Sequence, residues 1–250
     1  MQQRNDPHAI AQPEKDEKAC IAEVGLGGEV FLFLHAGGLP TKDVAKQLAS
    51  LGCFGKPDAH FDLDGPMWSA LAGAKADSFA TYLVSLVDRT DRSTGLLSAI
   101  IDYRDLLWLE QRSIFQEQLR QRLRVIRVTF LDQALQAFRR AALARSGHDT
   151  TPSFNEIARE MIGIEEAEQA GDVFCKRHGQ PSAKLWVEDL ARPGVPSLSG
   201  LLARFSMARS DDQPILPIPS PGNAELEAVT AFRAEAKHRH WSHALLPHRF

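Results

Sequence analysis

Cysteine is scarce and unpatterned in this chain. Cys20, Cys53 and Cys175 are an odd number with no CxxC pair, which excludes a disulfide framework and a zinc knuckle and fits a reducing compartment. Charge of one sign is lacking as well. The 29 lysines and arginines stand against 32 aspartates and glutamates, a formal net charge of -3, so no general attraction draws the chain to nucleic acid or an acidic membrane. No transmembrane segment is expected, because no apolar run approaches membrane-spanning length. Residues 1–28 carry Pro7, Pro13 and the mixed run PEKDEK without the apolar core of a secretion signal. They are expected to form a flexible N-terminal segment of a cytoplasmic protein.

Standard nucleotide fingerprints are missing too. Gly25-Leu26-Gly27-Gly28 precedes the first apolar run instead of following it, so it lacks the strand that would aim it at a dinucleotide. A Walker loop needs GxxxxGK[ST], yet Thr41 stands where the second glycine belongs and Asp43 follows Lys42. That order removes the hydroxyl that would hold magnesium and argues against an NTP-dependent kinase.

What is present reads as a globular α/β chain. A hydrophobic fraction of 44% with 24% charged residues over 250 positions suits one sizeable core, and a single domain over 29–237 is expected. Val30 to Leu34 is a β-rich apolar run that breaks at His35-Ala36-Gly37-Gly38. Thr41 then stands as the cap of a helix whose apolar positions Val44, Leu48 and Leu51 recur at helical spacing, with Gly52 as its stop. Further strands are predicted over Leu96 to Ile101, Val125 to Thr129 and Ala183 to Val187. Short helices are predicted after Asp64-Gly65-Pro66 and after Asp77 or Ser78, and capping boxes at Ser113/Gln116 and Ser153/Glu156. Helices are also expected from Asp132 to Ser146 ahead of Gly147, from Ser197 to Phe205, and from a cap at Asn223 to about Lys237, after the proline cluster QPILPIPSPG. Strands alternating with helices predict a central parallel sheet covered on both faces.

A strand running through a glycine turn into a helix can hold a phosphate, because first-turn N–H groups and the helix dipole converge there. The segment LASLGCFGKPDAHF, Leu48 to Phe61, resembles the bacterial sulfotransferases typified by trehalose 2-sulfotransferase, whose corresponding helix ends in a Gly-x-x-Gly-x-Pro loop. Val125 to Arg139 is similar to that family's strand and following helix, and AKLWVEDL, Ala183 to Leu190, to its late strand ending in Tyr-Glu-Asp-Leu. The resemblance spans most of residues 29–237. It implies a P-loop-like three-layer fold and transfer of a sulfuryl group from 3′-phosphoadenosine-5′-phosphosulfate (PAPS) to a hydroxyl of a carbohydrate or other small acceptor, without a metal.

Sulfuryl transfer needs a gripped donor, a neutralised leaving oxygen and a base for the acceptor hydroxyl. The resemblance places the 5′-phosphosulfate turn, Arg-Ser-Gly-Ser-Thr in the family, on Gly38 to Lys42: Gly38, Leu39 and Pro40 replace its arginine, first serine and glycine, Pro40 deletes an N–H, Thr41 keeps a hydroxyl, and Lys42 brings a positive charge. It places the 3′-phosphate clamp at Arg127, which matches, and at Gln136, where the family has a serine. Arg139 follows Phe138 at the family's tryptophan. The family's acidic base position is Ala59, and the lysine after its second strand is Ile100. Asp58, His60, Asp62 and Asp64 crowd the neighbouring loop, and His60 has the intrinsic pKa best suited to a base near neutrality. The catalytic candidates are therefore Lys42, His60 and Asp58. The cofactor-binding candidates are Gly37, Gly38, Thr41, Lys42, Arg127 and Gln136.

The tail over 238–250 is rich in histidine, with His238, His240, His243 and His248. No cysteine or carboxylate stands at ligand spacing beside them, so a tail and no metal site is expected. Two readings remain open: a PAPS-dependent sulfotransferase, and a relative that kept the fold as a binding or assembly module after losing the donor loop. A homodimer is compatible with either.

Overall fold

The structure is a computed structural model that describes residues 29–61, 82, 86, 96–111, 122–145, 151–181, 183–192, 195–208, 218 and 220–241. Its central strand is β1 (Val30–His35), VFLFLH, with five of its six residues buried. An apolar run without alternation is what a strand covered on both faces requires. β1 pairs in parallel with β2 (Leu97–Asp102), in a register running from Val30 opposite Leu97 to His35 opposite Asp102. On its other side it pairs in parallel with β3 (Leu123–Thr129), Val30 opposite Leu123, and β3 pairs in parallel with β4 (Ala183–Trp186).

The sheet order is thus β2-β1-β3-β4. From β1 the chain moves out to β2 and then crosses back over β1 to β3. The reversal leaves a crevice at the C-terminal ends of β1 and β3, where open α/β sheets bind their ligands.

Helices cover both faces. α1 (Thr41–Ser50) follows β1, and α2 (Tyr103–Glu110) follows β2 directly. α3 (Gln133–Ala144) and α4 (Phe154–Arg177) lie between β3 and β4, and α5 (Val187–Leu190), α6 (Pro196–Arg204) and α7 (Asn223–His238) complete the described chain. Phe31 and Phe33 point to α1 and α6, meeting Val44, Leu48, Leu198 and Leu202. Phe54 stands edge-on to both rings, at 5.4 and 5.1 Å. Leu32 and Leu34 point to the other face, with Leu106, Leu109, Phe174 and Cys175 of α2 and α4. A third cluster joins Ala36 to α3, α4 and α7 through Phe138, Ile157, Met161 and Phe232. It fixes those helices over the C-terminal end of β1.

The four expected strands are present, all parallel, so the α/β class is as read from the sequence. The capping box at Ser153 and Glu156 is formed, and Asp132 caps α3 by accepting from the Leu135 N–H. Gly52, at φ +75°, follows the end of α1 as expected.

Two caps differ. Thr41 is the first residue of α1 and not its cap; Pro40 holds that place, with its carbonyl accepting from the Asp43 and Val44 N–H groups. Proline's fixed φ, here -74°, already suits a helix start, so the chain turns one residue earlier than the hydroxyl suggested. Asn223 likewise lies inside α7, and Gly222 is the cap, its N–H held by the Glu225 carboxylate at 2.9 Å.

The helix expected after Asp64, the Asp77 or Ser78 start of the next, the Ser113/Gln116 box and the Gly147 stop lie outside the described residues, as do residues 1–28 with Cys20; of that second helix Tyr82 and Leu86 are described, and both are helical. Among the described residues no helix is long and apolar enough to cross a membrane.

Candidate functional site

The glycine turn sits at the crevice between β1 and β3. Gly37 and Gly38 have φ of +80° and +72°, the left-handed region that other residues enter only with strain. Space enforces the same choice at Gly38, where a Cβ would lie 2.6 Å from the Gln136 carbonyl oxygen of α3.

The polar groups of the turn are taken up by the protein itself. The Gly37 N–H donates to His35 Nδ1 at 3.0 Å, and the Gly37 carbonyl accepts from Gln136 Nε2 at 2.8 Å. The Ala36 carbonyl accepts from Arg140 Nη1. Arg140 pairs in turn with Glu160 at 2.8 Å, and its side chain runs between Gly37 and Gly163, both small enough to let it pass. The carbonyls of residues 36 and 37 therefore face donors on α3.

Gln136 is fully buried and joins three elements. Besides holding Gly37, its Oε1 accepts from the Thr129 hydroxyl at 3.0 Å and the Phe130 N–H at 3.3 Å. Arg127 points from β3 toward α4 and pairs with Asp172 at 3.0 Å, with only 14% of its side chain exposed. Beside it on β4, Lys184 pairs with Glu168 at 2.8 Å and lies 4.6 Å from the centre of the Trp186 ring.

Lys42 is exposed in the first turn of α1, and Thr41 is half-buried there with its hydroxyl donating to the Leu39 carbonyl. Leu39 is buried against the Phe31 and Phe33 face. It anchors the turn in the core at a place where an anion cradle would carry a polar group.

Asp58 and His60 lie elsewhere. The Asp58 backbone forms an isolated parallel bridge to Ala99, accepting from the Ile100 N–H at 2.9 Å, so it extends the sheet on the side of β2 away from β1. Its carboxylate accepts from the Ala59 N–H. His60 is 7% exposed, and its carbonyl accepts from the Tyr82 hydroxyl. The structure brings Gly37, Gly38, Gln136 and Arg127 to the ends of β1 and β3, whereas Asp58 and His60 follow the outer edge of β2. Asp62 and Asp64 lie outside the described residues.

The late motif VEDL works structurally. Both carboxylate oxygens of Glu188 accept from the Leu131 N–H, at 3.0 and 2.9 Å, tying the β3–α3 connection to α5, just after β4. Asp189 is fully buried and accepts from the Ser197 hydroxyl at the start of α6. Arg139 makes a two-pronged pair with Glu225 at 2.8 and 3.1 Å, which holds that carboxyl below its ordinary range. These pairs join elements to each other and leave the crevice untouched.

Between the strand ends lies a recess with about 20 Å³ of room, lined among others by His35, Tyr103, Arg127, Thr129 and Glu168. That holds one water-sized group; a nucleoside needs an order of magnitude more. Burial, with Glu110 nearby, raises the Tyr103 hydroxyl pKa, and burial pushes the Cys53 thiol up to about 11, so Cys53 is protonated at neutral pH and no nucleophile.

No protein-family model and no curated protein matches the chain.

Sequence reasoning missed Arg140, His35 and Glu168. Arg140 had a signal: it stands four residues after Gln136 on one helix, so the two share a face. His35 and Glu168 had none, since a strand-end histidine and one acid among several on α4 are distinguished only by the packing.

Proposed function

We propose that this chain is a sulfotransferase-like α/β module that binds or assembles without transferring a sulfuryl group. The observation that carries this reading is the occupied glycine turn. A donor cradle must offer N–H groups and cations to an anion. Here the Gly37 N–H is spent on His35, and the donors of Gln136 and Arg140 are spent on the turn's own carbonyls. Arg127, the one clamp residue that matches the resembled family, is neutralised by Asp172. Asp58 and His60 stand with β1 between their edge of the sheet and the β3 side of the crevice. A base placed there is separated from the donor groups it would have to serve.

The second reading, PAPS-dependent transfer to a carbohydrate or other small hydroxyl acceptor, is favoured by Lys42. An exposed lysine at the N-terminal turn of α1, beside the positive end of the helix dipole, suits a leaving oxygen that gains charge. Calorimetry on the full chain with 3′-phosphoadenosine-5′-phosphate separates the two. The binding-module reading expects no binding heat at millimolar nucleotide. Micromolar binding that Arg127→Ala weakens by about 1.5–3 kcal/mol, the worth of a charge-assisted hydrogen bond, would show a retained donor site and favour the transfer reading instead.

A further inference from the structure

α4 passes between two separate apolar cores. Its first half, with Ile157, Met161 and Ile164, packs with α3 and α7, and of the residues in that cluster only Ala36 comes from the sheet side. Its last turn, with Phe174 and Cys175, belongs to the cluster of Leu32 and Leu34 on the sheet. Between Ile164 and Phe174 the one buried position is Gly171, which has no side chain to bury. The helix therefore has apolar anchorage toward each end and none between.

What joins the three helices to the strand ends is polar. Gln136 donates to the Gly37 carbonyl and accepts from the Thr129 hydroxyl, Arg140 donates to the Ala36 carbonyl, and Glu168 pairs with Lys184 at 2.8 Å. The recess of about 20 Å³ lies on this seam, with Ala167 and Glu168 on the helix side and His35, Arg127 and Thr129 on the sheet side. Close-packed apolar surface resists separation. A polar seam exchanges its hydrogen bonds for bonds to water at small net cost, and units that move against each other are joined in this way.

Both joints of such a unit are identifiable. Glycine loosens a helix interior, and Gly171 stands where α4 leaves one core for the other; a Cβ there would lie 3.2 Å from Leu34 Cδ2, so the glycine also lets the helix rest on β1. Beyond it, Asp172 pairs with Arg127 at 3.0 Å, and Arg177 and His178 both meet Glu110 of α2, at 2.7 and 2.8 Å, which keeps the end of α4 on the sheet. At the other joint, Glu188 holds the Leu131 N–H on the sheet side, one residue before the cap of α3 at Asp132. We infer that α3, α7 and the part of α4 before Gly171 form a cap, hinged at Gly171 and at residues 131–132, that opens the seam at the ends of β1 and β3, with the Glu168–Lys184 pair as its latch. Opening parts Ala167 and Glu168 from His35 and Arg127 and turns a recess that holds one water into a cleft. This gives the binding role argued above a gate and rests on that reading, but its test uses no ligand, so the two fail separately.

Relaxation dispersion of the backbone amides of the full chain tests the cap, because hinged closure runs on the microsecond to millisecond scale that this measurement reads. Gly37, Gly38, Gln136, Glu168 and Gly171 should share one exchange process, while Ile126 inside the sheet and Phe232 inside the cap stay flat. Glu168→Gln keeps the shape of the side chain and removes its charge, so it should raise the open population several-fold. Sodium chloride at about 1 M should do the same in the unaltered chain, by screening the pair once it has parted. Flat profiles at the seam would overturn the proposal, since the cap would then be fixed. Exchange of equal amplitude at Phe232 would overturn it too, as the mark of melting helices, and so would exchange that neither salt nor Glu168→Gln alters.

Discussion

Gly38 is where backbone strain and close approach act on the same atom. Gly38→Ala should destabilise the fold by at least about 2 kcal/mol, since a left-handed alanine costs about 1–2 kcal/mol and the new Cβ must also push the Gln136 carbonyl from 2.6 Å. Gly179→Ala is the control. It has φ +63° with nothing within 4 Å of a Cβ, so it should cost only about 1 kcal/mol. Denaturant unfolding of the two variants measures the difference, and equal losses would mean that α3 gives way easily. At this scale the sequence was readable in part. Two adjacent glycines after a strand announced a special turn, but not which way its groups would face. Gln136 illustrates why: a glutamine four residues into a helix can serve a ligand, a neighbour or solvent. Only the packing of α3 against β1 decides that it holds Gly37 and Thr129.

Among elements, helix starts were legible at Asp132 and Ser153, where a side chain closes a short local ring, and misplaced by one residue where proline or glycine does the work; α2 was not anticipated at all, although Asp102 caps it by accepting from the Arg104 N–H. The starts of α4 and α7 also set a response to acid. Hydrogen bonds from Ser153, with the Arg145 charge, lower the Glu156 pKa from its ordinary 4.5 to about 2, and Arg139 first of all lowers that of Glu225. A carboxyl with a lowered folded-state pKa adds stability above its unfolded value and loses it as pH falls through the folded one. The melting temperature should therefore hold above about pH 4.5 and decline from there toward pH 2. Glu156→Gln should lower the neutral-pH value and flatten the decline. An acid limb unchanged in that variant would place the response in other carboxylates.

For the whole molecule, the parallel sheet was legible because each strand is a short apolar run set off by capped helices, and β1 is apolar at both parities. Strand order was not. Which edge β3 takes depends on how α2 crosses the sheet, and that is settled by long-range contacts among Leu32, Leu106 and Phe174. The candidate site fared worse for the same reason, since the pairing of Arg127 with Asp172 joins a strand to a helix far along the chain, and that of Lys184 with Glu168 depends on how α4 lies against β4.

Strand order also bears on how the protein is made. VFLFLH is synthesised first, yet its two neighbours arrive only when Leu97–Asp102 and Leu123–Thr129 have been added. Until then the most apolar strand waits on the ribosome without a partner, the circumstance in which nascent chains aggregate or engage chaperones. Refolding from denaturant should accordingly lose yield as protein concentration rises, measured by light scattering during dilution. Phe33→Thr should raise the soluble fraction at early times while lowering final stability, so that the residue that closes the finished core is also the one that endangers its assembly.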